Sequence, residues 1–243
     1  SVFSLFKGCI YINNLKNLDF IMPRALTASL ISLIGKPANV KMIFDADGLP
    51  ADERVDFANL SNDGFIYKAY RYLERKMLLK SDKVLVRSQE AKNILSARAG
   101  AGFKPQKITV ITNGKDSNQF CIKDEDRVLL RKKLKIEDED FVIGYIGSLG
   151  KQYCIDEMIM FYQYMKERVH NVKFICMTGS PDIMRTRCRE KKVDLNDFSI
   201  FRCQPDDAPG YLNACDIGIA LREPSFSMKG VFPIKISEYL LCG

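Results

Sequence analysis

Residues 141–179, FVIGYIGSLGKQYCIDEMIMFYQYMKERVHNVKFICMTG, spell out one βαβ unit. FVIGYI is an apolar run that leads into Gly147 and Gly150. Over 155–168, Ile155, Met158, Ile159, Tyr162 and Met165 recur at the spacing of one helical face. VKFICMTG is apolar almost throughout, as a strand covered on both faces should be. A strand, a crossover helix and a second buried strand make a parallel sheet.

The same alternation extends both ways. Downstream, Pro181 suits the first position of a helix, followed by the strand SIFRCQ, a helix over 206–214 and the strand DIGIALR. SFSMKGVFPIKISEYLLCG (225–243) then runs from a loop into a helix opening near Ile234. Upstream, residues 2–16 read as a helix, LDFIMP as a short buried strand stopped by Pro23, and 24–34 as a helix. VKMIFDADG is a strand ending in acids and a glycine, with a polar segment after it. Residues 65–80 make the clearest helix, with Ile66, Ala69, Tyr70, Leu73 and Met77 on one stripe. SDKVLVRS is a strand, Ser88 an N-cap for a helix over 89–97, and KITVITNG a strand ending in an Asn-Gly turn. A polar stretch, NGKDSNQF, and the charged residues 123–140 separate the two halves, with a helix expected over 124–134. The expected domains are therefore 1–117 and 118–243, in an α/β fold of two Rossmann-like, doubly wound parallel-sheet domains.

Composition is that of a globular chain: 243 residues, 47% apolar and 28% charged, with a formal net charge of +7. That charge suits anionic ligands such as nucleotide diphosphates, or an anionic membrane surface. No basic tract interleaved with aromatics argues for nucleic acid. Eight cysteines are scattered without a C-x-x-C pair, the usage of a reduced, cytoplasmic protein. One histidine, His170, argues against a His-rich metal site. No apolar run reaches the ~20 residues of a membrane span.

Lys235 and Glu238 lie three residues apart, on one face of the helix opening near Ile234. A helix N-terminus favours phosphate, a lysine adds a cation, and a carboxylate can accept from paired hydroxyls such as those of a ribose. The same spacing also fits a merely solvated helix. Gly147, Ser148, Gly150 and Lys151 precede a helix and can bring backbone N–H groups against phosphate, or serve packing alone. The spacing is not the dinucleotide G-x-G-x-x-G. Asp45 and Asp47 sit where open α/β sheets place ligands, and equally where a turn wants Asp. Lys68, Arg71, Arg75, Lys76 and Lys80 give the 65–80 helix a basic face, either solvated or turned toward anionic lipid or substrate.

In order and texture, VKMIFDADGLPADERVD, YLERKMLLKSDKVLVRSQEAKNIL, KITVITNGKDSNQF, FVIGYIGSLGKQYCIDEM, VKFICMTG, ACDIGIALRE and FPIKISEYLLCG resemble the family 4 glycosyltransferases of GT-B fold. The resemblance spans nearly the whole chain. It implies a retaining transfer of a hexose from a nucleotide-diphosphate sugar to a glycan or lipid-linked acceptor in cell-surface polysaccharide synthesis, with no metal required. The basic 65–80 helix and the charge of +7 suggest an acceptor on a lipid carrier at the cytoplasmic membrane face. By position, Glu238 would bind the ribose and Lys235 would lie near the diphosphate, with Gly147 to Lys151 as the first diphosphate loop. Arg202 and Cys203 would meet the base through their backbone, and Asp45 and Asp47 would face the acceptor. Gly230 stands where the family has the first of two glutamates, so the backbone of Gly230, Val231 and Phe232 would have to hold the sugar. Ser148 replaces a basic residue common in relatives, leaving Lys151 as its substitute. The pattern also implies that both domains are incomplete, cut from a longer polypeptide. A non-catalytic nucleotide-sugar-binding or partner-docking module, or another GT-B enzyme such as an epimerase, fits the same residues.

Overall fold

The computed structural model describes residues 2–243, which form two compact units. Among the described residues the first comprises 2–112 with 224–232, and the second 113–223 with 233–243. The first break thus falls a few residues before the expected 117/118. Residues 224–232, expected in the second domain, belong to the first unit, because Asp56, Ser88 and Gly48 hold them there by contacts described below.

The first unit carries four parallel strands in the order β1 (Phe20–Ile21), β2 (Lys41–Asp45), β3 (Lys83–Val86), β4 (Ile108–Val110). Its helices are α1 (Val2–Asn13), α2 (Leu26–Gly35), α3 (Pro50–Ala58), α4 (Phe65–Lys80) and α5 (Gln89–Ala99). Met42, Phe44, Val84, Val86 and Ile108 from the sheet meet Met77, Leu78, Ala91 and Leu95 in one core. Ser88 caps α5 as expected, its hydroxyl accepting from the Ala91 N–H at 3.0 Å. LDFIMP departs from expectation. Only Phe20 and Ile21 pair, at the sheet's edge, and Phe20 is 56% exposed, because an edge strand has a neighbour on one side alone. The polar segment after β2 folds as α3. Pro50 at its start and Asp52 and Glu53 in its first turn supply helix-start signals in the absence of a long apolar stripe.

The second unit orders its parallel strands β7-β6-β5-β8, with β5 at Phe141–Ile146, β6 at Val172–Met177, β7 at Phe198–Phe201 and β8 at Ile217–Gly218. Its helices are α6 (Asp124–Lys133), α7 (Ile155–Lys166), α8 (Pro181–Glu190), α9 (Ala208–Asn213) and α10 (Ile234–Cys242). Alternate residues of β5 and β6 feed two cores. Ile143, Tyr145, Phe174 and Cys176 meet Met158, Ile159 and Met184 of α7 and α8. Val142, Ile175 and Met177 meet Leu212 and Cys242 of α9 and α10. Helices on both faces explain the uninterrupted apolar character of VKFICMTG. DIGIALR forms a shorter strand than expected, although the Ile219 N–H still reaches the Gly144 carbonyl at 2.8 Å.

Asp216, just before β8, fastens α6 to this sheet. Its Oδ2 accepts from the Val142 N–H and from Arg131, both at 2.7 Å, and its Oδ1 from Arg127 at 2.6 Å. Arg131 is buried and spends its remaining N–H groups on the carbonyls of Ala214, Glu137 and Asp140. All eight cysteines are free thiols. No helix among the described residues is long and apolar enough to cross a membrane.

Candidate functional site

The sheet of the second unit ends in a cleft of about 240 Å3. Ile146 and Gly147 reach it from β5, Met177, Thr178 and Gly179 from β6, and Cys203 and Gln204 from beyond β7. Glu238 on α10 and Lys115 and Phe120 from the segment before α6 close it. This is the carboxyl end of a parallel sheet, where strand-to-helix loops open and ligands collect.

Two tyrosines hold α10 in place. Tyr239 Oη donates to the Ile219 carbonyl at 3.0 Å and accepts from the Ile146 N–H at 3.3 Å, bridging β5 and the β8 region. Its ring lies so close to Gly218 that a Cβ there would sit 2.5 Å from ring carbon. Tyr145 Oη donates to the Ser148 carbonyl at 2.5 Å and accepts from Lys235 Nζ at 3.1 Å, tying the glycine loop to the start of α10. The N-cap residue of α10 is Pro233, which makes no side-chain capping bond.

Lys235 is buried, with Nζ 4.5 Å from the Tyr145 ring centroid and 4.0 Å from that of Tyr153. Arg222 lies over the other partner ring, 4.5 Å from the Tyr153 centroid. Burial, and then the Arg222 guanidinium, push the Lys235 ammonium down to about 8, with Glu238 opposing. Glu238 is also buried, and its Oε1 is 2.8 Å from Lys115 Nζ. The cleft thus offers the Glu238 carboxylate and the Lys115 ammonium, with the buried Lys235 ammonium lying against its lining residue Gly147. Such a set can hold a ligand with both hydroxyls and negative charge.

Of the residues singled out in the sequence, Gly147, Cys203 and Glu238 line this one cleft, and Lys235 lies against Gly147. Ser148 contributes its carbonyl to the Tyr145 bond. Gly150 and Lys151 instead line a neighbouring depression with Cys154, Asp156, Glu157, Arg187 and Glu223. Arg202 is exposed and is not among the lining residues. Gly230, Val231 and Phe232 lie in the first unit. There the Ser227 N–H donates to Asp56 at 2.8 Å, and the Ser88 hydroxyl donates to the Lys229 carbonyl at 2.6 Å. A Cβ at Gly230 would stand 2.8 Å from Leu49 Cγ and 3.2 Å from the Gly48 carbonyl carbon, so a glutamate has no room at this position.

Asp45 and Asp47 lie at the end of β2, both paired with guanidinium groups. Arg87 donates to Asp45 at 2.6 Å and to Asp47 at 3.1 Å, and Arg24 bonds Asp47. Together with Gly48, Glu74 and Leu95 they border a small cavity of about 120 Å3. The basic face of α4 is partly committed: Arg71 pairs with Glu74, and Arg75 bonds the Ala99 carbonyl.

Lys115, Arg222, Tyr145, Tyr153, Thr178 and Gln204 were missed in the sequence. Thr178 and Gln204 follow strand ends and could have been found by that position alone. Lys115 carries no local signal, since its partner lies far along the chain.

No protein-family model matches the sequence, and neither does any curated protein. Solved structures do match in fold. HepE of Anabaena, solved with UDP and with UDP-glucose, aligns over 98% of this chain with a TM-score of 0.70 and 17% identity in its UDP complex. A glycosyltransferase from Rickettsia africae aligns over 93% of this chain and 58% of its own, with a TM-score of 0.65 and 17% identity. A mutant of S. aureus TarM, solved with fondaparinux, α-GlcNAc-glycerol and UDP, aligns over 86% of this chain and 38% of its own, with a TM-score of 0.60 and 12% identity. The fold is the paired Rossmann-like α/β type of the GT-B glycosyltransferases. The chain spans about 60% of the length of HepE.

Proposed function

We propose that this chain is part of a glycosyltransferase of family 4 and that its second unit binds the nucleotide-diphosphate sugar. The observation that carries the reading is the cleft itself, which brings Gly147, Glu238 and the Cys203 region together at the ends of three parallel strands, with Lys235 against the glycine loop. Glu238 takes the ribose hydroxyls, and the backbone around Cys203 takes the base. Lys235, the N–H groups that follow Gly147 in the glycine loop and the start of α10 take the diphosphate, the Gly147 N–H itself being held by the Met177 carbonyl. Negative charge grows on that diphosphate as the sugar departs, and a buried cation in a preorganised site stabilises it more than water would. On this reading the charge is met by the chain's own groups and no metal is called for.

The transfer is read as retaining, with a hexose moving to a glycan or lipid-linked acceptor in polysaccharide synthesis. The acceptor belongs to the first unit, near Asp45 and Asp47. Lys68, Lys76 and Lys80 remain on the surface of α4 and support contact with an anionic, cytoplasmic membrane face. Incubation with a panel of nucleotide sugars, scoring nucleoside diphosphate release with and without acceptor, tests the reading. Acceptor-dependent release supports it. Binding without turnover by the full-length protein favours a non-catalytic nucleotide-sugar module, a reading that the lack of space for a glutamate at Gly230 supports.

A further inference from the structure

We propose that Lys115 is a positioning residue for Glu238, aiming that buried carboxylate at the two hydroxyls of a nucleotide ribose. The inference rests on the nucleotide reading of the cleft and adds to it a residue from outside the strand-end loops.

Lys115 and Glu238 both line the cleft, 2.8 Å apart, with side chains 30% and 9% exposed. The pair is fastened on both sides. Lys115 Nζ lies 4.8 Å from the ring centroid of Phe120, which is buried in the core that also takes in Cys242 of α10. Ser237, beside Glu238, donates its hydroxyl to the Asn113 carbonyl at 3.0 Å. The segment around Lys115 is therefore docked along α10 at successive positions.

A glutamate has three side-chain torsions, and an unpaired carboxylate in a cleft would sample several of them. A charge-assisted bond at 2.8 Å selects one arrangement and fixes where the carboxylate oxygens point. Other charged or titratable groups on α10 are engaged elsewhere. Lys235 bonds Tyr145, Tyr239 bonds the Ile219 carbonyl, and the Cys242 thiol faces the Pro209 carbonyl. Among the described residues, Lys115 is the cation that forms an ion pair with Glu238. A ribose diol is recognised by geometry, through two hydroxyls meeting correctly placed acceptors. Loss of Lys115 should therefore blur recognition of the ribose specifically.

The test measures affinity of the full chain for UDP, ADP and GDP, and for their 2′,3′-dideoxy forms, by calorimetry. The parent protein should prefer the ribonucleotide about tenfold or more, the usual scale for hydrogen bonds to a charged group. Lys115→Met should bring the two forms within about twofold of each other, as should Glu238→Gln, while Lys115→Arg should keep the preference. If Lys115→Met weakens both forms equally, Lys115 serves the phosphates or the fold and the proposal is overturned. A preference that survives Lys115→Met intact overturns it too. Failure of the parent protein to bind any of the three nucleotides removes the nucleotide reading itself, a result distinct from either of these.

Discussion

Lys235 lies directly over Gly147. A Cβ at Gly147 would stand 2.6 Å from Lys235 Cε and 2.9 Å from Nζ, and Gly147 has a φ of 135° that side-chain-bearing residues rarely adopt. Residues far apart in the chain thus share one space, and only glycine leaves room for the lysine. Gly147→Ala should lower stability by about 1–3 kcal/mol, the scale of backbone strain at such positions, and weaken nucleoside diphosphate binding. Denaturant unfolding and calorimetry on the same variant check both. An alanine tolerated in both respects would show that the close approach is not needed.

The buried ammonium gives a pH signature. Lys235 is pushed down to about 8, whereas an unfolded chain holds this proton to about 10.4. Between those values the unfolded state carries more protons, so this residue makes stability rise with pH across that window. A bound diphosphate favours the charged form. Binding at pH 8.5 should therefore take up protons, and affinity should fall as pH rises above 8. Calorimetry in two buffers of different protonation enthalpy measures the uptake. Lys235→Arg should abolish it, because a guanidinium stays protonated.

Lys151 and Lys235 were both candidates for the diphosphate, and the structure separates them. Lys151 borders the depression that holds Asp156, Glu157 and Glu223, while Lys235 lies against Gly147. Lys235→Ala should weaken nucleoside diphosphate binding more than Lys151→Ala does. The reverse order in a binding titration would move the diphosphate to the Lys151 side.

Removing Asp216 should damage the second unit without touching the cleft. Asp216→Ala leaves the buried Arg131 without its carboxylate partner, a loss of about 1–3 kcal/mol for a charged group left short of a hydrogen-bond partner. Urea unfolding measures this, and a change under 1 kcal/mol would mean that the carbonyls around Arg131 suffice.

Gly230→Glu introduces the residue that the resemblance to family 4 glycosyltransferases implies at this position, yet it should not help. Leu49 and the Gly48 backbone occupy the space, and overpacking costs about 1–3 kcal/mol. Lower stability with no gain in nucleotide affinity is the expected outcome.

The sheets were legible because buried parallel strands are written as apolar runs, and VKFICMTG and SDKVLVRS mark β6 and β3 plainly. Phe65–Lys80 and the Pro181 helix start were legible through periodicity and position. Short edge pairings were not, since two-residue strands such as β1 and β8 leave no pattern. In the candidate site, Gly147 and Glu238 could be picked out because strand ends and helix starts carry local chemistry. The Lys115–Glu238 pair and the Tyr145–Lys235–Tyr153 stack join residues distant in sequence, and nothing local announces them. Residues 224–232 misled for a related reason. Their place in the chain suggests the second unit, but Asp56, Ser88 and Gly48 decide where they pack.

The proposed function rests on a nucleotide binding in the cleft of the second unit, held by Glu238 and Lys235. Calorimetry of UDP, ADP and GDP with the parent protein, Glu238→Gln and Lys235→Ala tests it most directly. At least one nucleotide should bind the parent at one site per chain, with each substitution losing about 1–3 kcal/mol. No binding by the parent, or unchanged affinity in both variants, would contradict it.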